Sequence, residues 1–148
     1  MKGVGAAVLI VVAGCSSNPC AQVCETETVG ATDTISWELT VFHVVVCAGS
    51  TCDTVDVPRG GPAVHLPTVG GSTSIAPASH ESTIDVELDD GVREDGTTPL
   101  TTGEPIHVVA TEPGTGVIVC DMTAPVIDAP PSTCGCPRHA LGPFVEHY

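Results

Sequence analysis

The chain has a single lysine, and it is the second residue. Its other cations are Arg59, Arg93 and Arg138, against eighteen aspartates and glutamates, for a formal net charge of −14. So few cations cannot form the basic cluster that neutralises phosphates, which excludes nucleic acid as a partner. The same deficit excludes electrostatic adhesion to anionic lipid. Acidic, lysine-poor surfaces suit salty surroundings, where screening shortens self-repulsion. Aromatic side chains are almost as scarce, with Trp37, Phe42, Phe144 and Tyr148 the whole set. The core must therefore be built from Val, Ile and Leu, and cross-links would help so thin a core. Helical periodicity is missing too, and the abundant Gly, Pro, Thr and Val disfavour helices. No apolar run reaches the ~20 residues that carry a helix across a bilayer.

What is present begins with "LIVVAGCSS", Leu9 to Ser17, an apolar run that stops at a cysteine. Met1 and Lys2 make a minimal positive start and Gly3 to Gly14 a short apolar stretch, the order of a signal peptide covering residues 1–14. Val12, Ala13, Gly14 and Cys15 resemble the lipobox of bacterial lipoproteins, an aliphatic residue and two small ones before a cysteine. The small residues let a peptidase take the backbone in extended form. The resemblance implies that Cys15 carries a diacylglyceryl thioether and becomes the first residue of the mature protein. Two or three acyl chains, at ~0.8 kcal/mol per buried methylene, would make a stable anchor. The expected location is then the cell membrane or outer membrane, facing an extracytoplasmic compartment; after the cysteine, Ser16 rather than Asp favours the outer membrane in Gram-negative lipoproteins. Loss of Lys2 leaves three arginines against eighteen acids, a charge of −15.

Eight cysteines in an exported chain read as disulfide partners, each bridge stabilising a small domain by ~2–4 kcal/mol. With Cys15 lipidated, seven remain, an odd number that leaves one unpaired or bonded to a partner. Cys47 and Cys52 flank a turn and form a plausible local disulfide, with Cys120 a rival partner for either.

Residues 15–32 carry Ser, Asn, Pro, Gln, Thr and Glu with little apolar content and read as a flexible tether, so folding is expected to begin near Asp33. In "TISWELTVFHVVVC" the odd positions Ile35, Trp37, Leu39, Val41 and Val45 alternate with polar residues before the run turns apolar on both faces, the pattern of a central strand. Cys52 to Val57 reads as its return strand. "STIDVELDDGV" sets Ile84, Val86 and Leu88 on one face and Asp85, Glu87 and Asp89 on the other, before an Asp90-Gly91 turn. "EPIHVVATEPGTGVIVCDM" is the strongest hairpin, two β-branched runs around a Gly-rich turn. About seven short strands over residues 33–123 predict an all-β chain, an immunoglobulin-like or related β-sandwich. Trp37 precedes the first core cysteine instead of following it, so only the architecture is expected. Residues 124–148 carry five prolines and read as an irregular tail.

Candidate chemistry fares poorly along the chain. Asp85, Glu87, Asp89, Asp90, Glu94 and Asp95 have calcium-binding residue types, but counting from Asp85 the sixth position of an EF-hand loop is Asp90 where glycine belongs, and the twelfth is Gly96 where glutamate belongs. A solvent-facing strand explains them with nothing bound. Cys134, Cys136, His139 and His147 are candidate copper or zinc ligands, although a C-x-C pair lacks common zinc spacing and two cysteines reaching different disulfide partners explain it as well. "GGSTS" is not G-x-S-x-G, and Ser79, His80 and Glu81 are chain neighbours whose side chains alternate in direction, so they cannot relay a proton. His43 reads as a partly buried, hydrogen-bonded histidine.

The expected function is therefore a lipid-anchored envelope module, not an enzyme and with no cofactor beyond the lipid on Cys15. It would be structural or bind an envelope protein or glycan. The alternatives are a copper- or zinc-handling lipoprotein using the C-terminal Cys/His set, and a small enzyme of another type.

Overall fold

β-branched residues in alternation form strands, and every regular element among the described residues is one. The computed structural model describes residues 28–91, 98–131, 135–136 and 138–147. Ten strands follow in order: β1 Thr28–Ile35, β2 Val41–Ala48, β3 Thr51–Pro58, β4 Val64–His65, β5 Gly71–Ala78, β6 Glu81–Asp89, β7 Pro105–Thr111, β8 Ile118–Ala129, β9 Arg138–Leu141 and β10 Val145–Glu146. They make two antiparallel sheets, β1-β6-β5-β4 and β10-β8-β7-β2-β3, with β9 added to the far end of β8. Reading β1, β2, β3, β5, β6, β7 and β8 as B, C, C′, D, E, F and G reproduces the immunoglobulin pairing order, B-E-D against C′-C-F-G. β1 and β7 carry no cysteine, so the inter-sheet disulfide of antibody domains has no counterpart here.

The inner faces meet in one core. Phe42, Val44, Val46, Ile106, Val108 and Met122 from one sheet share one buried cluster with Ile75, Ile84, Val86 and Leu88 from the other. Each such side chain contributes about 1.5–3 kcal/mol on burial. The alternation expected for β6 is observed, with Ile84, Val86 and Leu88 inside and Glu87 and Asp89 in solvent. The β7–β8 hairpin is also as expected, its loop closed by Glu112 N–H donating to the Val117 carbonyl at 2.9 Å.

Three boundaries differ from expectation. Strand structure is already present at Thr28, five residues before Asp33: β1 has only Val29 and Ile35 as large inward residues, and its register comes from β6, Thr28 opposite Asp89 through to Ile35 opposite Ser82. The run expected as one central strand is two. The chain leaves one sheet after Ile35 and enters the other at Val41, and this crossing resets the phase, so that Phe42, Val44, Val46 and Ala48 point inward. Trp37 lies on the crossing.

The third difference is the tail. β8 runs through Pro125 to Ala129, and β9 and β10 return along it. Pro125 is tolerated because N–H and C=O of one residue point the same way in an antiparallel ladder. Its carbonyl accepts from Gly142 N–H at 2.8 Å, so the missing N–H also faces away from β7, where it opposes Pro105.

Candidate functional site

The two sheets meet along two long edges. At one, β3 and β4 lie together, and the link is a carboxylate. Asp53 points inward from β3 in phase with Val55 and Val57, and its Oδ2 accepts the N–H groups of Thr68 at 2.8 Å and Val69 at 2.7 Å. Burial works to raise the Asp53 pKa, but the Val69 and Thr68 hydrogen bonds and the nearby His65 outweigh it. The carboxyl consequently sits below its ordinary value.

Arg59, just past β3, closes one end of the sandwich. Its N–H donates to the Thr40 carbonyl at 2.9 Å, and its Nε donates to Ser82 Oγ at 2.9 Å. Nη2 reaches the Glu81 carbonyl at 3.1 Å. The buried Ser82 hydroxyl passes the connection on, donating to the Trp37 carbonyl at 2.7 Å. The backbone of Trp37 is thus held, through one hydroxyl, by the guanidinium that follows β3.

The opposite edge, between β1 and β8, is closed over only half its length. There Asp90 is buried and accepts from the His139 N–H at 2.7 Å, while its other oxygen shares a hydrogen bond with His139 Nδ1 at 2.8 Å, pinning β9 beside β1. The other half is open. A groove of about 650 Å³ separates Thr34 to Trp37 from Ile118 to Asp121, with Glu146 and His147 on its rim. Trp37 is 40% exposed and Ile118 58% exposed, while Ile35 is buried beneath. Among the described residues β1 pairs only with β6, and β8 before Asp121 pairs only with β7, so two strand edges face this groove.

Cys120 lies in the groove, the free cysteine among the described residues. Burial first, then the negative charges of Asp33, Glu146 and Asp121, push its thiol up to about 12. The neutral thiol is a poor nucleophile at physiological pH. At the rim His107 Nε2 shares a hydrogen bond with Asp121 at 2.7 Å, and His147 Nε2 with Thr123 Oγ1 at 2.9 Å, the two rings meeting edge to face at 6.4 Å between centroids.

The residues singled out from sequence are dispersed. Cys47 and Cys52 stand directly opposite in the β2–β3 register and form a disulfide, on the outer side of the sheet. Cys120 therefore partners neither. Cys15, with the lipobox, and Glu94, Asp95 and Cys134 lie outside the described residues. Asp85, Glu87 and Asp89 do not gather with Asp90, which alternation turns into the protein. Asp85 instead accepts from Thr32 across the strand pair, beside a shallow hollow of about 450 Å³ lined by Gly30, Ser72, Ser74 and Glu87. Cys136 is disulfide-bonded and His139 is committed to Asp90, so these two do not share an ion. Among the described residues no three His, Cys, Asp or Glu side chains converge on a metal position. His43 is half-exposed and bound to Asp56 at 2.8 Å. His80 sits in the β5–β6 loop at φ 62°, its ring in solvent and 3.7 Å from Glu38 rather than near Ser79.

Sequence reasoning missed Asp53, Arg59 and the groove. An acid in phase with the inward Val55 and Val57 was the signal for the first. The groove had none, because it depends on which strands become neighbours. Comparison with family models, with curated proteins and with solved structures finds no match.

Proposed function

We propose that this chain is a lipid-anchored envelope protein whose β-sandwich binds a partner and performs no chemistry of its own. The observation that carries the binding half is the open groove, where Trp37 and Ile118 stay in water beside unpaired strand edges while the other edge is held by Asp53. Large apolar side chains gathered in a concave site are the usual material of a binding surface. The anchoring half rests on the lipobox resemblance at Val12 to Cys15 and on a charge that leaves no other affinity for a membrane. Against catalysis stands the state of the nucleophile and bases. Burial and the surrounding carboxylates keep the Cys120 thiol protonated, and His43, His107 and His139 are each tied to an aspartate.

The anchor is tested by replacing Cys15 with Ser in cells fed a palmitate analogue. Wild type is expected to label and enter the detergent phase, and Cys15→Ser to do neither and to keep Lys2. Equal labelling and partitioning would refute the anchor and return Cys15 to the disulfide pool. Cross-linking in the native envelope, followed by mass spectrometry of the linked peptides, tests partner binding.

A further inference from the structure

We propose that the groove between β1 and β8 binds an extended peptide segment of alternating basic and apolar residues, added as a strand to the open edge. The inference rests on the partner-binding reading above and names the partner's chemistry. Three features of the groove carry it. First, among the described residues β1 pairs only with β6, and Ile118 to Cys120 of β8 pair only with β7; the Thr34 N–H is taken by Asp33 Oδ1 at 2.7 Å and the Asp121 carbonyl by the His147 N–H at 2.8 Å, so the remaining backbone N–H and C=O groups of these edges are the ones an extended chain would satisfy. Second, its apolar surface comes from Ile35, Trp37, Ile118 and Val119, which suits side chains on one face of a strand. Third, its charge has one sign. Asp33, Asp121 and Glu146 all act on Cys120 within the groove. Asp121 and Glu146 line it and neither described arginine does: Arg59, behind the Trp37 backbone, is bound to Ser82 and the Glu81 carbonyl, and Arg138 Nε donates to the Pro130 carbonyl at 2.8 Å.

Charge decides among occupants. A second copy of the chain would bring another net charge of −14 against an acidic rim. The chain's own residues from Ser16 to Glu27 include Glu25 and Glu27 and no basic residue, so they meet the same repulsion. A segment whose alternate residues are Lys or Arg places cations on the carboxylates and its apolar residues on Trp37 and Ile118. Trp37 can also receive an ammonium or guanidinium over its ring face.

Trp37 is the sole tryptophan, so its emission reports on the groove directly. The full chain, in micelles of an uncharged detergent, is titrated with an eight-residue peptide of alternating Val and Lys. Two controls are the same peptide with Glu for Lys and the Val/Lys peptide with alternate backbone nitrogens methylated. The expected result is a saturable blue shift with the Val/Lys peptide that weakens as salt rises, none with the Glu peptide, and at least tenfold weaker binding of the methylated one. Ile118→Ser is expected to weaken binding at least tenfold, and Asp33→Lys with Glu146→Lys to transfer the response to the Glu peptide. No saturable shift at millimolar Val/Lys peptide overturns the proposal, as does an equal response to either control. A shift that grows with protein concentration alone assigns the groove to a second copy and overturns it too. Failure here leaves the anchored, partner-binding reading to the Cys15→Ser and envelope cross-linking results, which involve no groove residue.

Discussion

The two long edges of the sandwich are built in opposite ways. Along β3 and β4 an inward carboxylate gathers two loop amides, and at the β4–β5 turn the Gly70 N–H donates to the Leu66 carbonyl at 2.9 Å, so backbone groups there are paired inside the protein. Along β1 and β8 the same sheets part beyond the Asp90–His139 link, and Trp37 and Ile118 face solvent. The stitched edge invests polar side chains in holding the fold together. The open edge leaves apolar surface exposed and part of two strand edges without a strand partner, which costs stability; on the proposed reading that cost serves binding. Substitutions should therefore damage folding at the first edge and recognition at the second.

The largest effect is expected at Gly71, where β5 starts beside the stitched edge. Its φ is +122°, and a Cβ there would stand 2.0 Å from the Glu87 carbonyl oxygen. Gly71→Ala is expected to cost about 3–5 kcal/mol in urea unfolding, through backbone strain and displacement of β6. Next is Ser82→Ala, which strips the partner from Arg59 Nε and the donor from the Trp37 carbonyl at a buried position. The expected loss is about 1–3 kcal/mol, accompanied by a red shift of Trp37 emission as its backbone loosens. This variant ties the two regions together, because the end-closing arginine reaches the open edge through that hydroxyl.

A smaller effect, with its pH signature in acid, is expected from Asp53. Its folded pKa is depressed, so its contribution is fully present above the unfolded value of about 3.9 and is lost as pH falls through the folded value. Asp53→Asn should lower stability at neutral pH and flatten the acid limb of a stability-against-pH curve. An unchanged acid limb would mean that Asp53 does not hold the 66–70 loop. The smallest effect is expected from Ile118→Ser, within about 0.5 kcal/mol in unfolding because its side chain is already mostly in solvent. A loss above 2 kcal/mol would show that Ile118 belongs to the core and not to a binding edge.

Much of the stitched framework was legible in the sequence. The alternation of Ile84, Val86 and Leu88 with Asp85, Glu87 and Asp89 is a strong local signal, and β6 and its phase follow from it. Cys47 and Cys52 around Gly49-Ser50 suggested a local disulfide while leaving Cys120 as a rival, and the structure decides it: a two-residue turn with Gly49 at φ 59° places the pair opposite. The start of β1 was not legible, because Thr28 to Thr34 offers little inward hydrophobicity and borrows its register from β6. Neither was the phase of β2: a continuous apolar run carries no period, and the crossing at Trp37 resets what precedes it. Prolines hid the strands of the tail, although Pro125 faces a side of the ladder where its missing donor costs nothing to β7. The candidate site was the least legible part. Its walls come from residues 34–37, 118–121 and 146–147, and only the topology brings them together.

Amide hydrogen exchange on the full chain, resolved to single residues, tests the contrast between the edges most directly. The account predicts strong protection of the Thr68 and Val69 amides and exchange at least a hundredfold faster at the groove-facing amides of residues 36–37 and 118–119, with the latter slowed when the Val/Lys peptide is added. Equal protection of both edges in the free protein, or groove amides that stay fast in the presence of saturating peptide, would contradict it.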